Sequence, residues 1–194
     1  MPFAPDAAPR DHLVTFYESD EGLTEDVASF LAEGFEAGDA AVVIATPDHR
    51  RSVEAALRRR SVPVDSLREA GRFVLADAAE MLASLMVGGT VDHGCFSIGV
   101  GGLVSRTAAP GRRVRAFGEM VGLLWQDDQA GAAERLEEHW NDLLRGSEAS
   151  LFCAYPIDAL GGGTDLAPLG AILRSHTHLC AGPRTMFSNP RRSR

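Results

Sequence analysis

The amino-acid sequence predicts an α/β fold: a mostly parallel, doubly wound sheet of about five or more strands with helices on both faces. Two observations predict it. Apolar, β-branched runs alternate along the chain with segments whose apolar residues recur every three or four positions. One run, AAVVIAT at 40–46, is apolar without interruption, which is typical of a parallel strand covered on both faces.

The first half of the chain supplies three predicted strands, HLVTFY (12–17), AAVVIAT (40–46) and RFVLAD (72–77). After the first strand, a polar corner precedes Thr24, which is expected to begin a helix with acidic residues in its first turn. Gly38 is expected to end that helix in the left-handed conformation that favours glycine. The predicted order of strand, helix and strand therefore starts at the beginning of the chain.

The remaining elements follow the same alternation. Pro47 suits the first position of a second helix, and Met81 lies on the apolar face of a third. Residues 92–108 are interpreted as a helix, although each glycine in it costs up to about 1 kcal/mol relative to alanine. The rest of the chain predicts a strand at 112–117, helices at 118–126 and 129–145, a strand at 150–156 and a helix at 166–176.

Composition limits the classes of function. The chain has 194 residues and 45% hydrophobic residues, enough for one globular domain, which we place at 11–181 between disordered tails at 1–10 and 182–194. A net charge of −8 argues against a nucleic-acid or membrane surface. The sequence contains no apolar run long enough to span a bilayer and no secretory signal pattern, so we expect a cytoplasmic protein.

The basic residues exclude two kinds of site. All 19 of them are arginine, and the sequence contains no lysine. A phosphate-binding loop of the GxxxxGK[ST] type and a Schiff-base enzyme both require a lysine amine. The corner FYESDEGLTED, where such a loop would begin, is rich in acids that repel phosphates. Nucleoside triphosphate binding is therefore not expected.

Polar side chains follow several predicted strands at their carboxyl ends, where ligands bind in open parallel sheets. The candidate ligand-binding residues are Tyr17, Glu18, Ser19, Thr46, His49, Asp77, Glu119 and Tyr155.

Two of these acids allow different interpretations. Glu119 follows the fourth strand, where it would cap the next helix, contact a ligand or act as a general base. Asp77 would either cap a helix or lie near Glu119, where the two carboxylates would hold a cation such as Mg²⁺. The sequence alone does not decide between them.

The sequence predicts no metal site and no cofactor. His176, His178 and Cys180 are metal-ligand residue types, but their spacing matches neither a helical pair nor the strong zinc patterns. The three cysteines of the chain are too few for a disulfide framework. Cys153 lies in the fifth predicted strand and is interpreted as a small buried hydrophobic residue. Burial there would suppress ionisation of its thiol to the thiolate.

Six ordered motifs resemble the MEDS domain, the sensory domain named for methanogens, methylotrophs and a dichloromethane-responsive regulator. They are HLVTFYES, VASFLAEGFEAGDAAVVIATPDHR, GRFVLADAAEML, RVRAFGEMVGLLW, AAERLEEHWNDLL and LFCAYP. The resemblance implies a RecA/KaiC-like fold without a working phosphate loop. It also implies sensing of hydrocarbon-derived small molecules for DNA-binding or histidine-kinase modules. We expect no output domain after residue 181, and the signal would then pass to a separate protein.

The leading hypothesis is a non-enzymatic sensor that binds a small organic ligand at the carboxyl edge of the sheet and relays it to a transcription regulator or histidine kinase. One alternative is a metal-dependent hydrolase that uses Asp77 and Glu119. Another is a ligand-free protein-interaction module. The resemblance is compatible with a homodimer, although no sequence feature indicates one.

Overall fold

The computed structural model describes residues 7–108, 111–157 and 167–180. Within these residues a six-stranded parallel sheet lies between two layers of helices, which confirms the predicted α/β class. The predicted tails, apart from residues 7–10, lie outside the described residues. Ala7 is buried, and the Arg10 N–H donates a hydrogen bond to the Ala149 carbonyl at 2.7 Å.

The strands of the main sheet are arranged in the order β3-β2-β6-β7-β1-β8, and each neighbouring pair is parallel. Their bounds are β1 His12–Tyr17, β2 Ala40–Ala45, β3 Phe73–Asp77, β6 Val114–Gly118, β7 Ala149–Pro156 and β8 His178–Cys180. The five predicted strands are confirmed. The three-residue strand β8, which pairs with β1, was not predicted because it is too short for a sequence pattern.

A small antiparallel hairpin was also not predicted. It consists of β4 Met86–Val87 and β5 Thr90–Val91. Gly88 and Gly89 between them have φ angles of 60° and 83°, as a tight two-residue turn requires.

The helices occupy the segments between strands. Their bounds are α1 Asp20–Glu36, α2 Pro47–Arg59, α3 Val64–Glu69, α4 Ala78–Leu85, α5 His93–Phe96, α6 Gly102–Thr107, α7 Met120–Gln126, α8 Ala130–Arg145 and α9 Ala167–Ser175, with a π-helical segment at Ser97–Gly101. Among the residues described, no helix has both the length and the apolar character needed to cross a membrane.

Helix α1 begins earlier than predicted. It starts at Asp20 rather than Thr24, because the Ser19 side chain accepts a hydrogen bond from the Gly22 N–H and caps the first turn. The Thr24 hydroxyl donates to the Asp20 carbonyl within the helix. The polar corner is therefore the first turn of the helix. Its acidic residues lie at the positive end of the helix dipole, where they stabilise the helix. The predicted left-handed Gly38 is confirmed, with φ 87°.

The two faces of the sheet carry separate cores. Alternate residues of β2 point to opposite faces: Val42 and Ile44 pack with helices α4 and α6–α9, whereas Ala41 and Val43 pack with α1–α3. This arrangement confirms that the apolar run at 40–46 is covered on both sides.

The topological switch point of the sheet lies between β2 and β6. These strands are neighbours, but the chain leaves β2 into α2 on one face and leaves β6 into α7 on the other. Such a topological switch point opens a crevice at the carboxyl ends of the strands, which is the usual place for a ligand in open α/β sheets.

Candidate functional site

Four of the predicted residues, Tyr17, Thr46, His49 and Glu119, come together at this switch point, and we call them the edge site. The buried Glu119 carboxylate accepts a hydrogen bond from the Thr46 N–H at 2.8 Å through Oε2. Its Oε1 lies 2.6 Å from His49 Nδ1. His49 Nε2 lies 3.3 Å from Oδ1 of Asp20, an exposed residue that sequence reasoning did not select.

The sheet positions Glu119 directly. Its N–H donates to the Ile44 carbonyl at 3.0 Å, so the β2–β6 pairing continues one residue beyond β6. The interpretation that the Glu119 carboxylate caps the following helix is wrong, because it forms no cap hydrogen bond with α7. It holds the junction of β2 and α2 instead.

The charged groups of the edge site shift the pKa values of the neighbouring side chains. The hydrogen bond to Glu119 raises the pKa of His49, although burial opposes this, and Asp20 adds to the increase. Burial, with the negative charges of Glu119 and Asp20, raises the pKa of Tyr17 to about 12. The Tyr17 and His49 rings meet edge to face at 6.4 Å. The edge site thus favours an imidazolium between two carboxylates beside a protonated phenol.

Asp77 lies apart from Glu119. Its Oδ1 accepts hydrogen bonds from the Ala79 and Glu80 N–H groups, which confirms the helix-cap interpretation, and its Oδ2 lies 2.8 Å from the Arg50 guanidinium. Strand β2 separates β3 from β6, so the strands that carry the two acids are about 10 Å apart. Each carboxylate also has its own basic partner, and the structure does not bring the two acids into one cation site.

The β1–α1 corner holds two further predicted residues. Glu18 and Ser19 are both exposed, and Ser19 is engaged as the cap of α1. They directly follow Tyr17 in the chain and precede Asp20 and Glu21, so the β1–α1 corner carries several acids.

Tyr155 does not reach the edge site. In β7, Cys153 and Tyr155 point to the face covered by α8 and α9, while Ala154 points to the other. The Tyr155 hydroxyl donates to Glu137 Oε1 at 2.5 Å. Tyr155 therefore belongs to a second group, the buried cluster, which comprises His12, Glu137, Cys153, Tyr155 and His176.

The buried cluster is compact and closed to solvent. His12 Nε2 lies 3.2 Å from Glu137 Oε2 and 3.4 Å from Cys153 Sγ. His176 Nε2 lies 3.4 Å from Glu137 Oε1. Burial lowers the pKa of His176 to about 4 and raises that of the Cys153 thiol. Imidazole, carboxylate and thiol groups from distant parts of the chain thus meet in the interior.

Sequence reasoning missed this cluster because its members are far apart along the chain. His176 was compared only with His178 and Cys180, which lie on β8 beyond it. One signal was available: Glu137 lies on the apolar stripe of α8, four residues after Ala133 and three before Trp140. An acid on the buried face of a helix requires a polar partner inside the protein.

Comparison with known proteins gives one positive result. The family model MEDS, the MEthanogen/methylotroph, DcmR Sensory domain, matches residues 11–177, most of the chain. A comparison with curated proteins finds no match. The matched residues include both the edge site and the buried cluster. The chain therefore belongs to the methanogen/methylotroph, DcmR sensory domain family.

Proposed function

We propose that this chain is a non-enzymatic sensor that binds a small organic molecule in the crevice at the edge site. The observation that carries the proposal is the position of the Glu119–His49 pair at the switch point between β2 and β6. Membership of a sensory domain family supports the sensory role. Tyr17, Thr46 and His49 would supply the few polar contacts that orient a ligand in such a site.

The charge of the crevice favours one class of ligand. Glu18, Asp20 and Glu21 lie at the β1–α1 corner beside the edge site, and Asp20 contacts His49. Negative charge at this corner disfavours phosphates and other anions. We therefore infer a neutral or cationic ligand, and a hydrocarbon derivative with a single polar group fits this description.

A ligand at the edge site would act through His49, which links three segments. The imidazole contacts Asp20 at the start of α1 and Glu119 after β6, and it belongs to α2 itself. A ligand that replaces the contact with Asp20 would free the start of α1 from α2. A signal requires that the ligand bind the arrangement without the His49–Asp20 contact more tightly than the arrangement with it. We propose that a separate transcription regulator or histidine kinase recognises the changed conformation. The chain itself would bind neither nucleic acid nor a membrane directly. A homodimer is compatible with this role.

The RecA/KaiC-like relationship remains a prediction. The parallel sheet and the acidic β1–α1 corner are compatible with an ATPase-like fold that has lost its phosphate loop. The hydrolase alternative is disfavoured, because Asp77 and Glu119 have separate partners. The interaction-module alternative requires a sheet edge filled by side chains, with no pocket, and an exposed apolar patch as the partner surface.

Nuclear magnetic resonance titration tests the proposal. Methanol, methylamine, dichloromethane and Mg²⁺–ATP would each be added to the full chain. We expect at least one of the three organic probes to shift the signals of Tyr17, Thr46 and His49, and His49→Ala to weaken that response. His178→Ala, which changes an exposed histidine on β8, is the matched control. Turnover of ATP, or no response at the edge site to any organic probe, would contradict the proposal.

A further inference from the structure

We propose that the buried cluster is a metal site in which His12, Glu137, Cys153 and His176 bind one divalent transition-metal ion of the zinc class. The four residues come from β1, α8, β7 and the turn after α9. Their ligand atoms all lie within 4.8 Å of one another. This site is separate from the edge site, and the inference does not depend on the proposed function.

The spacing of the ligand atoms fits tetrahedral coordination. Bonds of about 2.1 Å from zinc to nitrogen or oxygen place neighbouring ligand atoms about 3.4 Å apart, and a zinc–sulfur bond of about 2.3 Å slightly farther. Three separations in the structure are 3.2 Å from His12 Nε2 to Glu137 Oε2, 3.4 Å from His12 Nε2 to Cys153 Sγ and 3.4 Å from His176 Nε2 to Glu137 Oε1. These three match coordination spacing, and the four ligand atoms all lie within 4.8 Å of one another.

The imidazole tautomers direct lone pairs inward. His176 Nδ1 lies 2.6 Å from the Ile172 carbonyl, which can only accept, so Nδ1 carries the hydrogen. His12 Nδ1 lies 3.0 Å from Asn141 Oδ1, and the Asn141 amide nitrogen donates to the Ser175 carbonyl. His12 Nδ1 is therefore also a donor. Both Nε2 atoms face the cluster, and outward donation to a carbonyl is the arrangement that orients metal-binding histidines.

Two buried atoms of the cluster form no hydrogen bond. Glu137 Oε2 and His176 Nε2 are both inaccessible to solvent and unpartnered. Buried polar atoms without a partner are costly, and a cation between them would satisfy both.

Another histidine pair in the same protein shows the ordinary arrangement. His139 Nε2 lies 3.2 Å from the Val91 carbonyl, so its bare Nδ1 can accept from His93 Nδ1 at 3.4 Å. His93 and His139 also have ligand atoms within 4.8 Å of Asp142, but their facing nitrogens can pair as donor and acceptor. In the buried cluster, Glu137 Oε2 and His176 Nε2 have no such partner.

The charges and atoms of the proposed site balance. A dication, the Glu137 carboxylate and a Cys153 thiolate sum to zero, and the two imidazoles are neutral ligands. On binding, the Cys153 S–H bond is broken, its proton leaves to solvent, and the sulfur lone pair binds the metal. Thiolate and imidazole ligands select zinc-class ions over Mg²⁺ or Ca²⁺. Four protein ligands leave no open position, which is typical of a structural site.

Co²⁺ titration of chelator-stripped full chain tests the proposal. We expect one Co²⁺ per chain, visible d–d bands of tetrahedral intensity and a thiolate-to-cobalt charge-transfer band, all abolished by excess Zn²⁺. Cys153→Ser should remove the charge-transfer band, whereas the matched control Cys95→Ser should keep it. Glu137→Gln should weaken binding at least about 10-fold, and Tyr155→Phe, which alters a partner of Glu137, should weaken it about 10-fold or more.

Each outcome decides the proposal. Wild-type protein that binds no stoichiometric Co²⁺ or Zn²⁺ would overturn the proposal. Retention of the charge-transfer band in Cys153→Ser would also overturn it, because the thiolate would then come from another cysteine. If Cys153→Ser does not fold, the Glu137→Gln and Tyr155→Phe affinities decide, and unchanged affinity in both contradicts the site. No organic probe is present, so this result is independent of the ligand titration.

Discussion

Glu119, which follows β6, and Glu137, which lies in α8, are both buried glutamates beside histidine, yet their surroundings differ. Both oxygens of Glu119 face nitrogen donors, the Thr46 N–H and His49. Glu137 accepts from the Tyr155 hydroxyl through one oxygen, and the other forms no hydrogen bond. His49 points its nitrogens at two carboxylates, whereas His12 and His176 turn their N–H groups away from Glu137.

The comparison shows that a glutamate–histidine contact has no fixed meaning. Where the surroundings leave the imidazole N–H directed at the carboxylate, the pair is complete as an ion pair. Where carbonyl groups accept the imidazole N–H on the far side of the ring, the imidazole lone pairs face the carboxylate. A metal ion would then bind between the lone pairs and the carboxylate. The tautomer, set by the neighbours of each histidine, decides between the two.

The largest expected effect comes from removing the buried acid. In the presence of a chelator, Glu137→Ala should lower the free energy of unfolding by about 3–5 kcal/mol, because it leaves the buried Tyr155 hydroxyl without its acceptor and opens a cavity in the interior. The matched control Glu138→Ala alters the next, exposed residue of α8 and should change stability by less than about 0.5 kcal/mol. Urea unfolding measures both. Equal losses in the two variants would show that Glu137 is not a central residue of the interior.

Glu119→Ala should have a smaller effect, about 1–3 kcal/mol, since it leaves the Thr46 N–H without an acceptor. The cost is lower because Asp20, the other partner of His49, is 80% exposed and solvent can reach it. Glu69→Ala, at an exposed position of α3, is the control. A loss larger than that of Glu137→Ala, measured by the same urea unfolding, would reverse the comparison.

The pH dependence of the edge site follows from the raised pKa of His49. A raised folded-state pKa adds stability that is fully present below the unfolded value of about 6.5 and is lost as the pH rises through the folded-state value. Wild-type protein should therefore lose stability relative to Glu119→Gln as the pH rises above about 6.5. Unfolding free energies of both proteins below and above this pH provide the measurement. A difference that grows with rising pH would contradict the predicted sign.

The smallest expected effect concerns the ionisation of the two tyrosines of the chain. Tyr17 belongs to the edge site and Tyr155 to the buried cluster. Tyr17 should ionise near its pKa of about 12, while burial and Glu137 raise the pKa of Tyr155 further. Ultraviolet absorbance should therefore show no tyrosinate near the ordinary value of about 10. Glu119→Gln should shift the first ionisation to lower pH, because it removes a negative charge beside Tyr17. Ionisation of either tyrosine near the ordinary value would contradict this picture.

The sequence predicted what depends on local pattern. The apolar run at 40–46 indicated a strand covered on both faces, and Tyr17, Thr46, His49 and Glu119, expected at the carboxyl ends of the strands, lie near one another. Ligand binding by these residues stays a prediction. Tyr155 was placed wrongly because only the end of its strand was considered, and not the face to which it points. The start of α1 was missed because a capping serine followed by acids resembles a loop.

The buried cluster could not be predicted in the same way. His12 and His176 are brought together by the pairing of β1 with β8 and β7 and by the position of α9, none of which is visible in local spacing. The direction of each imidazole N–H depends on Asn141 and on the Ile172 carbonyl. Only the acid on the apolar stripe of α8 indicated that a polar group lies inside.

Anomalous X-ray diffraction at the zinc absorption edge, on crystals of the full chain grown with Zn²⁺, tests the difference between the two glutamates most directly. The account predicts one strong anomalous peak among His12 Nε2, His176 Nε2, Glu137 and Cys153 Sγ, and none at Glu119. A peak beside Glu119 and His49 with none in the buried cluster, or no peak at either glutamate, would contradict it.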